Sequence, residues 1–417
     1  MRERLRSRHR SQPLFLRFVM KTNTYVTPLR RDSLARLNWN PIRSLTPTSL
    51  ARILDDFHAG KLRQAALVWD AIERRDDLLQ GVISKRKKSI SRLDWEILTL
   101  DNSEEAARQK ELLEQFYNHL SCVNAYDENE RGGLPLLIRQ MMDAVGKRYA
   151  VHEVVFKPFQ KDGQSLLTAE FRFVPLFFFE NKDGRLHFVG DKGNKDIPLS
   201  GDEWLITTGD GLMESCSIAY LFKHLPLRDW LIYCERNGMP GVKGITQARP
   251  GSAEWEIARE AVQNFGAEFH ALMSAGTDIQ AIDISGKGEL PYPKLVERMD
   301  RAMAALWRGS DLTTLGRENA VGVTQQRNER DLLEEDDAQM ISDTLNEQVD
   351  RIVLKHLAQT EFPKAYFHLK PSPNKNLNND LAILKTLWDM GVSLSLNDIR
   401  EHFGINPPTD KNDTVQK

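Results

Sequence analysis

Two stretches of helical periodicity around a loop dominate the second half of the chain. From Pro291 and Pro293 onward, Leu295, Met299, Met303 and Leu306 recur three to four residues apart, which predicts one apolar helical face. From about Gln325 to Leu357, Ala338, Ile341, Leu345, Val349, Ile352 and Leu357 repeat at similar spacing, opposite a charged face that includes Glu334, Glu335, Asp336 and Asp337. The Gly, Ser and Thr content of residues 308–319 breaks both patterns and suits a mobile surface loop.

The first half opens with Thr46-Pro47, a capping hydroxyl before a proline at the first helical position, followed by the stripe Leu50, Ile53, Leu54 and Phe57. Two more helical patterns follow, Leu62, Ala65, Trp69 and Ile72, then Leu78, Leu79, Val82, Ile83 and Ile90; Asp94 to Leu100 reads as a strand. Residues 104–120 and 134–148 each predict one helix. The period then changes to two, with strands expected at Ala150 to Phe159 and Ala169 to Glu180, and a turn at Asn181–Gly184 leading into Arg185 to Val189. Phe171, Phe173, Phe177 and Phe179 alternate, and such aromatics on a hairpin predict a buried face rather than a platform for stacking bases.

From Ser215 a helical period returns with Ile218, Leu221, Phe222 and Leu225, where Pro226 should kink or restart the helix before Trp230, Leu231 and Cys234. A strand at Val242 to Thr246, a helix from Pro250 to Gly276 and a strand at Thr277 to Ser285 then form a small module. It sits between the helix ending near Asn237 and the one starting near Pro291. Past Leu357 come Pro363, Pro371 and Pro373, an Asn-rich linker, and short helices at Leu381 to Met390 and Leu396 to Phe403.

Composition narrows this picture only a little. With 417 residues and 41% hydrophobic content the chain can build real cores, and a net charge of -2 rules out a polycation built to grip nucleic acid through its whole surface. Cys122, Cys216 and Cys234 are odd in number and far apart, which points to a reducing compartment. Residues 1–44 form a basic arm with Arg2, Arg4, Arg6, Arg8 and Arg10; Met20 is an alternative start, and no secretory signal is expected. Phe171 to Phe179, the most apolar run, is far short of the roughly 20 residues of a spanning helix, so no membrane association is expected.

The search for a reaction centre finds no phosphate-binding Gly loop, no dinucleotide fingerprint, no His-Glu-x-x-His and no nucleophile elbow. His152 and Glu153 sit in a strand pattern and point to opposite faces. Glu334 and Asp337 share a helical face that permits a divalent-metal site, although acids near a helix start also complement its dipole. Lys85-Arg86-Lys87-Lys88 spreads over most of a helix circumference and is expected to be a solvated face rather than a DNA-binding stripe. No catalytic residue, metal site or cofactor is therefore assigned, and no enzymatic activity is expected. The rival readings are a metal-dependent nuclease using Glu334 to Asp337 and a monomeric nucleic-acid-binding adaptor using the basic arm and Lys85 to Lys88.

Four places carry a family resemblance. They are Leu45-Thr46-Pro47 through Asp94-Trp95-Glu96-Ile97, including Arg75-Asp76-Asp77-Leu78-Leu79-Gln80-Gly81-Val82; Trp230 to Gly238-Met239-Pro240; Leu306 to Gly316 with Leu312-Thr313-Thr314; and Ile405-Asn406-Pro407-Pro408. On these residues the chain resembles the portal proteins of the phage Mu-like group, which form the ring at the head vertex of tailed phages. Arg308-Gly309-Ser310-Asp311 departs from the Leu-Gly-Gln type turn common in relatives, and the chain stops soon after Pro408 where many relatives continue.

The resemblance implies an α+β, mainly helical portal-type fold with an α/β wing, a helical stem and a small α/β clip. Residues 45–212 would be the wing, 213–237 and 291–307 the stem helices, 238–290 the clip, 308–324 the channel loop, 325–360 a long helix and 361–417 a crown-like helical segment and tail. The implied DNA-facing residues are Arg308, Ser310, Thr313, Thr314, Arg317 and Asn319, and Gly241, Val242, Lys243 and Gly244 would face the terminase. The implied partners are further copies of the chain in a ring of about twelve, double-stranded DNA, the terminase large subunit, and the capsid, scaffold and head-tail connector proteins. The implied setting is the virion, with assembly in the bacterial cytoplasm.

Overall fold

The computed structural model describes residues 40–403, except 162–163, 191–195, 239–240, 269–277, 283–290, 310–319, 361, 372–376 and 394. The chain divides into two units, one ending at Lys370 and one starting at Pro371.

The first unit begins with the capping box the sequence announces. The Thr46 hydroxyl accepts from the Ser49 amide and Ser49 Oγ accepts from the Thr46 amide, starting α1 (Pro47–His58). Helices α2 (Leu62–Arg75) and α3 (Asp77–Ile90) follow. At Gly60 a Cβ would lie 2.0 Å from the Asn181 carbonyl oxygen, so only glycine lets the α1–α2 turn approach the backbone there. Trp69, Ile72 and Leu79 from these helices are fully buried.

Next come β1 (Trp95–Thr99), α4 (Glu104–His119), β2 (Ser121–Asn124), β3 (Arg131–Gly132), α5 (Leu134–Met141), α6 (Asp143–Lys147), β4 (Tyr149–Lys161) and β5 (Gln164–Val174). The single helix expected over 134–148 is thus two, joined at Met142. β5 stops at Val174 instead of reaching Glu180, because Pro175 lacks the amide a ladder needs and Leu176–Phe178 coil into a short 3-10 turn. β6 (Phe179–Lys182) and β7 (Arg185–Phe188) form the expected hairpin, whose turn residues Asp183 and Gly184 both have positive φ. The alternating phenylalanines therefore lie on three elements, yet Phe171, Phe177 and Phe179 are buried as expected of a core.

β8 (Ile197–Pro198) joins β6 and β7, and β9 (Trp204–Thr208) closes a five-stranded sheet of order β3-β2-β5-β4-β9, in which only the β2–β5 pairing is parallel. Helix α7 (Met213–Gly238) continues through Pro226, so the helix does not restart there. β10 (Gly241–Ile245), α8 (Ala253–Glu268) and β11 (Asp278–Ile282) confirm the strand, helix, strand order of the small module, and its strands pair antiparallel.

α9 (Tyr292–Arg308) packs on α7. Its buried positions are Met303, Ala304 and Trp307, with Leu306 37% exposed, so the apolar stripe is rotated toward Trp307 from the face expected. α10 (Ala320–Leu345) passes through a π-helical turn at Asn346–Asp350 into α11 (Arg351–Leu357). The π turn aims two polar side chains inward. Gln348 pairs with both the amide and the carbonyl of Ile206 on the edge strand β9, at 2.9 and 2.8 Å. Asp350 accepts from Tyr117 Oη at 2.6 Å and from the Phe367 amide at 2.8 Å.

Phe367 belongs to β12 (Ala365–Leu369), a strand not foreseen, which pairs antiparallel with β1. Its alternation of buried Ala365, Phe367 and Leu369 with half-buried neighbours was legible, but the surrounding prolines suggested a linker. The second unit contributes α12 (Leu377–Asp389) and α13 (Leu396–Phe403), with Leu381, Trp388, Met390 and Leu396 exposed. This mixed architecture bears out the α+β reading.

Candidate nucleic-acid channel segment

The α7–α9 pair is antiparallel, as three contacts along its length show. Trp230 stacks near Tyr292, Lys223 meets Asp300 at 2.7 Å, and at the far end Trp307 and Met213 close over Gly146, where a Cβ would meet the indole at 3.0 Å. Twenty-six residues make α7 about 39 Å long. The face expected to be apolar is only partly covered: Leu221 is buried, but Ile218, Phe222, Leu231 and Ile232 are exposed.

A buried charge cluster fixes this pair to the helices beneath it. Asp76 caps α3 by accepting from the Leu79 amide at 2.9 Å, and its other oxygen takes Lys223 Nζ at 2.9 Å and His224 Nε2 at 3.2 Å. Lys223 also reaches Asp77 at 3.1 Å. Burial would raise the Asp76 pKa, but the hydrogen bonds from His224, Leu79 and Lys223 outweigh it and hold the carboxyl at about 2. Lys223 is pushed up from its ordinary value by its three carboxylate partners against the cost of burial. A lysine interrupting the apolar run of α7 was the available sign of this cluster.

A second knot joins α2, α3 and α6. Lys87 bonds Glu73 at 2.8 Å and Asp143 at 2.7 Å, while Lys147 reaches Asp70 at 2.5 Å and Asp143 at 2.8 Å. The run Lys85–Lys88 is therefore not one solvated face. Lys85 and Lys88 are exposed, whereas Lys87 enters this knot and Arg86 turns the other way.

Arg86 makes a bidentate pair with Asp337 of α10, Nε to Oδ2 at 2.7 Å and Nη2 to Oδ1 at 2.9 Å. Its Nη1 donates to the Trp307 carbonyl at 3.1 Å, and the guanidinium lies 5.9 Å from the Trp307 ring centroid. The acidic run is thus split: Glu335 and Asp336 stay exposed, as a solvated face requires, and Asp337 alone leaves it. Asp337 is buried and committed to Arg86, and burial raises its pKa despite that partner. Among the described residues no group of three His, Cys, Asp or Glu side chains is placed to share a metal ion. Likewise, no described helix is long and apolar enough to cross a membrane.

Of the DNA-facing residues named from the sequence, Arg308 ends α9, and Gly309 follows in the left-handed conformation with φ 70°. Ser310, Thr313, Thr314, Arg317 and Asn319 lie outside the described residues. Arg308 lines a cleft of about 230 Å³ with Lys85, Arg86, Ser89, Glu334 and Asp337. Gly241, Val242, Lys243 and Gly244 lie on β10, opposite Ile282, Ala281, Gln280 and Ile279 of β11.

The family model described as the portal protein of Mu bacteriophage matches residues 66–405. The chain belongs to that family. It is 22% identical over 300 residues to the portal protein of Escherichia phage Mu, covering 68% of this chain and 56% of that protein. It is 20% identical over 288 residues to the Mu-like prophage FluMu protein gp29 of Haemophilus influenzae, covering 66% and 53%. The chain thus spans little more than half the length of the curated relatives it matches. A chain in the neck of a native GTA particle computed with C12 symmetry shares the fold at a TM-score of 0.52 and 11% identity, over 81% of this chain and 93% of that one.

Proposed function

We propose that this chain is the subunit of a portal ring at a phage head vertex, the channel for double-stranded DNA during packaging and ejection. The match to the Mu portal family across residues 66–405 is the observation that supports this most. In this reading α7 and α9 are the stem, residues 238–290 the clip offered to the terminase large subunit, and 308–324 the channel segment. The body before α7 is the wing, and capsid and head-tail connector proteins are the other partners. About twelve copies close the ring, the symmetry used for the GTA neck.

Sliding sets the chemistry of the lining. Each lysine or arginine on the channel repeats around the ring, and every phosphate it pairs with releases counterions, so a strongly basic lining would hold DNA fast. A segment with Arg308 and Arg317 among Ser310, Asp311, Thr313 and Thr314 can touch phosphates weakly and let go. Particles assembled with the Arg308→Ala, Arg317→Ala double variant should contain normal rings but package or retain DNA poorly. DNA content equal to wild type would refute the channel assignment.

A further inference from the structure

The sequence carries two charge runs, Lys85–Lys88 and Glu334–Asp337, that a DNA channel does not by itself explain, and the fold joins them at one side chain. Arg86 touches the chain at Trp307 and again at Asp337, and residues 308–324 lie between these two points in sequence. We infer that Arg86 is a positioning residue for this segment, clamping the end of α9 and the middle of α10, which flank it, to α3. This rests on the channel reading of residues 308–324.

The geometry supports a locating role rather than mere charge neutralisation. The Trp307 carbonyl belongs to the last turn of α9 and has no partner within its own helix, so the bond from Nη1 caps that end just before Gly309 turns the chain away. The two parallel bonds to Asp337 fix the rotation of α10 about its axis, which a single point charge would leave free. Both side chains are nearly excluded from water, at 8% and 5% exposure, so salt screens the pair little. Behind Arg86, α3 is rooted in the core by Leu79, Val82, Ile83 and Ile90. The clamp therefore refers the end of α9 and the middle of α10 to a helix held by four buried side chains. From Asp337 back to Ala320, α10 runs about 26 Å, so a small tilt of the helix at the clamp displaces the far end substantially.

Hydrogen exchange read by mass spectrometry on the full-length protein tests this, with Arg86→Gln, Arg86→Lys and wild type in parallel. In Arg86→Gln, peptides covering residues 303–340 should exchange at least about tenfold faster while those covering Leu62–Arg75 keep their wild-type rate. Arg86→Lys retains the charge without the fork and should fall between the two, and it serves as the folded comparison if the Gln variant is unstable. Particles carrying Arg86→Lys should also lose DNA while their rings persist. Acceleration spread evenly over both regions would reduce Arg86 to a general stabiliser, and unchanged exchange at 303–340 would remove the clamp; either overturns the inference. These rates are read on the purified chain, so a wild-type protein that forms no ring would count against the portal reading alone.

Discussion

The body before α7 and the α7–α9 hairpin share one apolar core but differ in how much of their surface it covers and in the charges that join them. In the body, Trp69, Phe171, Phe179, Phe188 and Trp204 are fully buried, and Phe188 and Phe179 both lie 5.7 Å from Trp204 by ring centroids. The hairpin shares that core through Met213, Leu221, Met303 and Trp307, but adds directional charges, Lys223 with Asp76 and Asp300, and Arg86 with Asp337 and the Trp307 carbonyl, while leaving Ile218, Phe222, Leu231 and Ile232 exposed. Apolar burial is insensitive to direction and fixes stability. Hydrogen-bonded ion pairs add little net energy but punish misalignment, so they fix position. A subunit that must present one segment to a channel needs the second kind of contact where that segment is rooted.

The largest expected effect lies in the body. Trp204→Ala should lower unfolding free energy by about 3–5 kcal/mol, since the cavity lies among packed rings that cannot collapse into it. Urea denaturation measures this, and a loss below about 1 kcal/mol would mean that the aromatic cluster is not the stabilising core.

Next comes Lys223→Met, which strands the buried Asp76 carboxylate and removes the partner of half-buried Asp300, and should cost about 3 kcal/mol. The loss should appear first as faster hydrogen exchange in α7 and α9, with the sheet β4–β5 protected as before. Simultaneous loosening of both regions would break the distinction drawn between them.

A third prediction concerns Asp350, whose carboxyl burial pushes up to about 7 against the opposing hydrogen bonds from Tyr117 and Phe367. Its folded pKa exceeds its unfolded one, so the folded state keeps a proton the unfolded chain releases, and this group's contribution to stability falls as pH rises from about 4 to 7. His152, which burial holds at about 3, acts with the opposite sign over much of that window and masks the trend in the wild type. The useful quantity is therefore a difference: Asp350→Asn minus wild-type stability should rise by on the order of 3 kcal/mol from pH 4 to 7. A difference that stays flat with pH would show that Asp350 is ionised in the folded state.

Much of the fold could be read from local pattern. The Thr46 cap, the Asp183-Gly184 turn, the strand, helix, strand module and the helices flanking residues 308–319 all follow from periodicity and turn chemistry. What escaped depends on partners distant in sequence. β12 needs β1, more than 260 residues earlier, to be recognised as a strand. Arg86 and Asp337 each look like members of a solvated charged run until the fold removes water from both. Pro175 follows the end of β5 at Val174, whereas α7 continues through Pro226, so proline alone does not mark where an element ends. The channel residues were chosen by resemblance, and of these Arg308 alone lies among the described residues.

Negative-stain microscopy of the purified full-length protein tests the central claim most directly. The portal reading predicts closed rings of about twelve subunits with a central hole wide enough for a DNA duplex. A preparation that contains only monomers would contradict it.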